Sequence, residues 1–548
     1  MLQQIDDYLK AENYSSALKK AKKIFNHPQF GEAAYQRAIF ASKKLKNRVG
    51  TLALCKKAII AFPNNDYLLQ EYGGFSYEIG KYSEAITAYQ MILKHHPEDA
   101  VTLSNVISCY IALQEPDKAE EFINRLIFCQ KAVSNTYNIL GGIRLGKDDI
   151  VGAEIAFRTA LFGFPATTTS AYNYLQFCER HNAFHKFEEV LLQISDEIKN
   201  DATVSLQIGK LYARQGKIIE AIEIFAKILL QRQSLDRVIC KKTLFEYGKA
   251  LDKKGLAKEA FEAFLQGNEI AKKTLEGSFK RSQKDLIDLQ NGTSIQGPTV
   301  EQNPVFVLGF PRTGTTLIDQ VLSTLGHVKT FEETAIISLL LESQITNIKA
   351  GKELNRRRLQ EQYFKFYKEN FDWQMPQILV DRSAPNIANI CFIRSLFPNA
   401  KIVVLHRHPL DIVLSCYMQD FELNILTREF TQLGSIVSLY TSVMDSLASL
   451  EGDPSIYNLR YEDLVSNFDK ETRSLFEFLG LEWTDGVRSF HDTALQKRVI
   501  RTASYQQVTK PLYATAVGRW KSYQDVFLPY LAILEPYAQK LGYDFNMD

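Results

Sequence analysis

Two patterns of apolar and polar positions divide this chain. Before Leu275 the pattern repeats every 34 residues: Ala85 in the unit EYGGFSYEIGKYSEAITAYQMILKHHPED recurs as Ala17, Thr51, Ala119, Ala153, Phe187 and Ala221. Pro28, Pro63, Pro97 and Pro165 keep nearly the same beat. Small residues at one phase, broken only at Thr51 and Phe187, mark a built repeat of paired helices that cross closely where the side chains are small. The register slips once, where Ala260 follows Ala221 by 39 residues. After Gly277 the sequence turns polar and is punctuated by Asn291-Gly292 and Gly297-Pro298, which is linker chemistry. Beyond it, short β-branched runs (VFVL from 305, ILV from 378, KIVVL from 401, IYNLR from 456) alternate with helical segments. That alternation predicts a parallel sheet with helices on both faces. The expected domains are a helical solenoid over 1–275, a linker over 276–303 and an α/β domain over 304–548.

Composition adds limits rather than detail. The 548 residues are 45% hydrophobic and 23% charged, as in an ordinary globular chain of more than one domain. A formal net charge of only +2 gives a nucleic-acid partner no support, so any anion site must be local. The 7 cysteines are scattered, without a C-x-x-C pair, and fit reduced thiols. The start MLQQIDDYLKAENYSS has neither a basic n-region nor an apolar h-region, and no later run approaches membrane-spanning length. A cytoplasmic location without membrane contact is therefore expected. No His/Cys/Asp cluster has metal-ligand spacing, and no metal is expected.

The candidate chemistry centres on VFVLGFPRTGTTLIDQVL, residues 305–322, which reads as strand, loop and helix. Its G-x-x-x-x-G-T-T spacing copies a phosphate-cradling P-loop, in which backbone N–H groups and a helix N-terminus hold anionic oxygens. The expected Lys after Gly314 is Thr315. With that Lys and a convincing magnesium-binding acid both missing, a P-loop kinase is disfavoured. Ligands of parallel sheets bind beyond the carboxyl ends of the strands. There this chain places Arg312, Asp381-Arg382, Arg407 with Ser415 two helical turns on, and Arg460-Tyr461. These dispersed cations replace the lysine.

The 34-residue unit, with Gly73, Gly80, Tyr82, Ala85, Tyr89 and Pro97, resembles the tetratricopeptide repeat. A solenoid of such repeats implies a protein or peptide on its concave face. From about Pro304 onward the chain resembles the sulfotransferase family, an α/β P-loop-like domain with a central parallel sheet. PRTGTT resembles that family's 5′-phosphosulfate loop and VVLHRHPLDIVLSCY its 3′-phosphate motif, while YEDLV, FLGLEW, VIRTASYQQVTKP, VGRW and LEPYAQKLGYDF also fit. The nearest pattern is that of the tyrosylprotein sulfotransferases, which share PR-[ST]-GTT followed by an EET triplet.

The resemblance implies 3′-phosphoadenosine-5′-phosphosulfate (PAPS) as donor and transfer of its sulfuryl group to an acceptor hydroxyl. By matching position, Arg312, Thr313, Gly314, Thr315 and Thr316 hold the 5′-phosphosulfate and Arg407 with Ser415 the 3′-phosphate. Tyr461, Ser504 and Lys510 hold further parts of the nucleotide, and Glu333 is the general base. Where family members generally carry a Lys against the bridging oxygen, this chain reads DRSAPN and offers Arg382. Glu332 and the histidines His327, His406, His408 and His491 are the rival bases. Arg356, Arg357 and Arg358 read as a solvated helix face, with contact to an acidic acceptor as the sharper alternative. Three functions stay open: a sulfotransferase for a protein or peptide docked on the repeats, one for a carbohydrate, lipid or small molecule, or a non-catalytic scaffold. Acceptor identity and oligomeric state are not specified by the sequence.

Overall fold

A computed structural model describes residues 1–181, 183–274, 283–290, 293–371, 373–490 and 517–545. Ser504, Lys510 and His491 lie outside the described residues. By compactness the chain divides into Met1–Gln207 and Ile208–Asp548.

The first unit is a run of antiparallel helix pairs, from Leu2–Lys10 with Tyr14–Lys22 to Thr168–Arg180 with Phe184–Gln193. Ala17, Thr51, Ala85, Ala119, Ala153 and Phe187, the residues of the repeating phase, are all completely buried. Thr51 is tolerated among them because its hydroxyl bonds to Ser42 Oγ and to the Asn47 carbonyl, each at 2.8 Å. A Cβ on Gly73 would lie 2.6 Å from the Tyr89 ring, and one on Gly141 would lie 2.6 Å from Phe157. Each aromatic fills the space its glycine leaves, and Ala there would push the helices apart. The turns inside the pairs keep the same period. Glu12, Lys46, Gly80, Gln114 and Asp148, spaced 34 apart, all have positive φ, between 53° and 79°. Only one of the five is glycine, so this marker was hidden in the sequence.

In the second unit, helices Ile218–Leu230, Arg237–Lys253 and Ala257–Lys273 continue the helical pattern, and Phe245, Leu251, Ala260 and Phe264 share one apolar cluster with the α/β domain. Two residues each form β1 (Ile295–Gln296) and β4 (Leu354–Asn355), which pair with one another. The main sheet has five parallel strands: β2 (Val305–Gly309), β3 (Val328–Glu332), β5 (Ile378–Arg382), β6 (Lys401–His406) and β7 (Ile456–Arg460). Their order is β3-β5-β2-β6-β7, which places central β2 between two strands reached by crossovers in opposite directions. That switch point opens a crevice at the carboxyl edge.

Strand alternation supplies two faces. Phe306, Leu308, Ile402 and Val404 join the cluster containing Ile337, Tyr363, Ile393 and Tyr440. Val305, Val307, Val403 and Leu405 join Ile318, Val321, Leu475 and Phe476 on the opposite face.

Two features differ from the sequence reading. Strand β3, which leads directly into Glu333, lies outside the four runs that predict strands. It is a short edge strand with Lys329 exposed between buried Val328 and Phe331, and its definition comes from pairing with β5. The polar stretch 276–303 also contains the helix Gln283–Gln290, with Leu286 and Ile287 buried. Gln290 donates to the Ala388 carbonyl at 3.0 Å and to Asn389 Oδ1 at 3.2 Å, so this part of the expected linker is packed against the α/β domain.

Candidate active site

The loop after β2 is built by close approach. Gly314 is the left-handed residue at the start of helix Thr315–Leu322, and a Cβ at its φ of 101° would lie 2.8 Å from the Tyr461 ring. Thr313 folds the loop back, its Oγ1 donating to the Phe310 carbonyl at 2.8 Å. Thr313, Thr315 and Thr316 are nearly buried at the helix start, where backbone N–H groups point outward.

Helix Pro409–Tyr417 and the residues before it bring further polar side chains to this loop. Arg312 Nε donates to Ser415 Oγ at 3.0 Å, and Arg407 Nη1 donates to the Arg312 carbonyl at 3.0 Å. The Arg407 guanidinium lies 5.2 Å from the centre of the Tyr461 ring, within cation–π range. Its helix is fixed from outside: Asp411 accepts from the backbone N–H of Gly518 at 2.8 Å and of Trp520 at 3.0 Å. Thus Arg312, Gly314, Arg407, Ser415 and Tyr461, from three strand tips, form one contiguous cluster.

Glu333 and Arg382 form a neighbouring pair at the ends of β3 and β5. Arg382 is fully buried, with Nη1 2.7 Å from Glu333 Oε1 and Nη2 3.2 Å from Glu332 Oε2. Its Nε has no hydrogen-bond partner among the described residues. Glu333 keeps 38% of its side-chain surface open. Burial of its carboxyl raises the pKa above the ordinary glutamate range, while Arg382 and the Ala384 backbone N–H pull it down. Its backbone is left-handed at φ 48°, clamped by donation of its N–H to the Arg382 carbonyl at 2.9 Å. Among the described residues outside the helical repeats, the non-glycine residues with positive φ are Arg312, at 77°, and Glu333. Such strain persists where surrounding contacts over-determine it, commonly at functional sites.

Of the rival bases, Glu332 shares Arg382 with Glu333, whereas His406 and His408 are engaged in other contacts. His406 is nearly buried against Asn458 Oδ1 at 2.7 Å, and desolvation lowers its pKa. His408 stacks on Trp520, with ring centres 5.1 Å apart, and accepts from the Leu410 N–H, which makes it a cap of helix Pro409–Tyr417. Arg356 is no solvated charge: it donates to the carbonyls of Ile295, Gly297 and Ser395 and holds that segment down. Arg357 pairs with Glu361 on the surface. No group of described His, Cys, Asp and Glu side chains could hold a metal ion.

The groups gathered around Gly314 and Arg382 would suit a nucleotide that carries several negative charges. They offer a glycine-shaped loop, a helix N-terminus, two arginines and a hydroxyl in mutual contact, beside a buried guanidinium whose Nε is unbonded.

Residues 304–485 match the model of the sulfotransferase family. An uncharacterized protein of Aquifex aeolicus is 29% identical over 324 residues, 54% of this chain and 42% of the relative. Protein-tyrosine sulfotransferase A of Caenorhabditis elegans is 26% identical, with 44% of this chain and 67% of the relative covered. Protein-tyrosine sulfotransferase 1 of Homo sapiens is 28% identical, with 44% and 69% covered. Among solved structures, a sulfotransferase domain from the curacin biosynthetic pathway superposes with a TM-score of 0.34 at 16% identity, covering 45% of this chain and 99% of that one. A tetratricopeptide repeat protein from Parabacteroides merdae gives 0.31 at 17% identity, covering 47% and 97%. A run of paired helices thus precedes a segment, residues 304–485, that is similar to the sulfotransferase family. Among the described residues, no helix is long and apolar enough to cross a membrane.

Proposed function

We propose that the chain transfers a sulfuryl group from PAPS to an acceptor hydroxyl on a protein tyrosine or another macromolecule held by the repeats. The observation that carries this reading is the Glu333–Arg382 pair beside the cluster of Arg312, Arg407 and Ser415. Arg312 and the N–H groups of residues 313–316 would hold the 5′-phosphosulfate, and Arg407 with Ser415 the 3′-phosphate. Tyr461, with Ser504 and Lys510, would complete the nucleotide site.

The acceptor O–H gives its proton to the Glu333 carboxylate as the oxygen bonds to sulfur. The bond from sulfur to the 5′-phosphate oxygen breaks, and 3′-phosphoadenosine-5′-phosphate leaves. Proton transfer and neutralisation of the leaving group are then linked through one guanidinium. While Glu333 is ionised, Arg382 is held by its charge; once Glu333 is protonated, the positive charge of Arg382 is available to the leaving oxygen.

The protein-acceptor reading draws on the repeats and on the protein-tyrosine sulfotransferase relatives. Transfer of labelled sulfate from PAPS to a panel of tyrosine peptides, glycans and small phenols tests it. Selective transfer to peptides supports this reading. Preference for glycans or phenols moves the acceptor class, and absence of transfer to all three favours a scaffold.

A further inference from the structure

A buried network lies directly beneath the proposed base, on the opposite face of β5 from Arg382. Asp381 is fully buried, and its Oδ2 accepts from Tyr367 OH at 2.8 Å and from Tyr363 OH at 3.0 Å. The Tyr367 hydroxyl also lies 2.7 Å from Oγ1 of Thr334, the residue that follows Glu333, and Thr334 Oγ1 stands 3.5 Å from Asp381 Oδ1. Both tyrosines are completely buried on helix Arg356–Asn370, and Thr334 is nearly so.

A buried carboxylate among aromatic rings is costly, and apolar residues would fill the same space without that cost. Desolvation raises the Asp381 pKa to about 6, even with three hydroxyl groups opposing the shift. Its connection upward gives the expense a purpose. Glu333 is held in its left-handed conformation from both sides: its own N–H is bound to the Arg382 carbonyl, and the next residue is bound by its hydroxyl into the network. A carboxylate on a strained turn keeps its direction only while both anchors hold.

We infer that Asp381, Tyr363, Tyr367 and Thr334 are positioning residues that aim the Glu333 carboxylate at the acceptor proton, an inference resting on the reading of Glu333 as base. These four lie at the end of β3, on β5 and on helix Arg356–Asn370, whereas Arg312, Arg407 and Ser415 follow β2 and β6, so loss of the four should leave nucleotide binding intact.

The test uses Thr334→Val and Tyr367→Phe, which keep shape and remove one hydroxyl each, with Thr334→Ser as the conservative variant and Glu333→Gln as reference. Transfer rate, calorimetric affinity for 3′-phosphoadenosine-5′-phosphate and melting temperature are measured on the full chain. Thr334→Val and Tyr367→Phe are expected to lower kcat by about 10-fold to 100-fold, the cost of a small misplacement, with nucleotide affinity unchanged. Thr334→Ser is expected to restore the rate. Wild-type kcat in both isosteric variants, with Glu333→Gln slow, overturns the positioning role and leaves the base reading standing. A rapid Glu333→Gln overturns both. A rate loss that Thr334→Ser does not restore, or that comes with an equal loss of nucleotide affinity, marks the network as merely structural.

Discussion

Arg382 Nη1 and Glu333 Oε1 are 2.7 Å apart, and the arginine that makes this contact has no solvent-exposed surface. The planar guanidinium also reaches Glu332, which a lysine ammonium at the end of a flexible stem would not do with the same geometry. Arginine in this place therefore organises the EET triplet as well as supplying charge.

Arg382→Met should raise the Glu333 pKa further, because the guanidinium is the largest influence now lowering it. The base works when ionised, so the rate falls as pH drops through its pKa. The acid limb of the rate profile should therefore move to higher pH. Stability at neutral pH should fall by roughly 1–3 kcal/mol, less than for a fully buried orphan because Glu333 stays partly open. Residual activity against pH, with urea denaturation, checks both.

Arg407→Ala should weaken 3′-phosphoadenosine-5′-phosphate by roughly 10-fold to 150-fold, equivalent to about 1.5–3 kcal/mol for a charge-assisted contact. Calorimetry measures it. Unchanged affinity would remove Arg407 from the site.

Gly314→Ala places a methyl group against the Tyr461 ring at a φ that L-residues disfavour. The cost should be on the order of 1–3 kcal/mol. Displacement of Tyr461 should lower nucleotide affinity as well, whereas a loss of stability alone would mean that the loop adapts without disturbing the site.

The second unit includes helices that belong by pattern to the repeats. Asn268 on helix Ala257–Lys273 donates to the Tyr417 carbonyl at 2.9 Å, at the end of the helix bearing Ser415, and Phe261 stacks on Tyr417 with ring centres 5.3 Å apart. Lys241 pairs with Asp420 at 2.6 Å, and Asp252 binds Arg519 and Tyr523. Asn268→Ala should cost about 1–2 kcal/mol of stability by leaving a buried carbonyl unpaired, and a few-fold loss of nucleotide affinity should accompany it. Thermal denaturation and calorimetry on one preparation separate the two effects.

What the sequence revealed was local. The 34-residue beat is visible because each helix pair meets its neighbours through the same small residue. The PRTGTT loop is visible because phosphate cradling depends on glycine at fixed spacing. What stayed hidden depends on distant pairing: β3 forms against β5, Asn268 reaches Tyr417 across 149 residues, and Arg312 reaches Ser415 across 103. In the sequence Asp381 is only a polar residue after the run ILV. Its bonds to Tyr363 and Tyr367 arise because Arg356–Asn370 packs over that face of the sheet, which no spacing along the chain discloses.

The central claim, that Glu333 removes the acceptor proton during sulfuryl transfer, is tested most directly by single-turnover transfer from labelled PAPS to a simple phenol. Wild-type protein and Glu333→Gln are compared at saturating donor, with nucleotide affinity measured in parallel. The amide keeps the shape and cannot take the proton. Equal affinity with transfer slowed by about 10²–10⁴-fold is the predicted result. Transfer by Glu333→Gln within a few-fold of wild type, at equal donor occupancy, would contradict it.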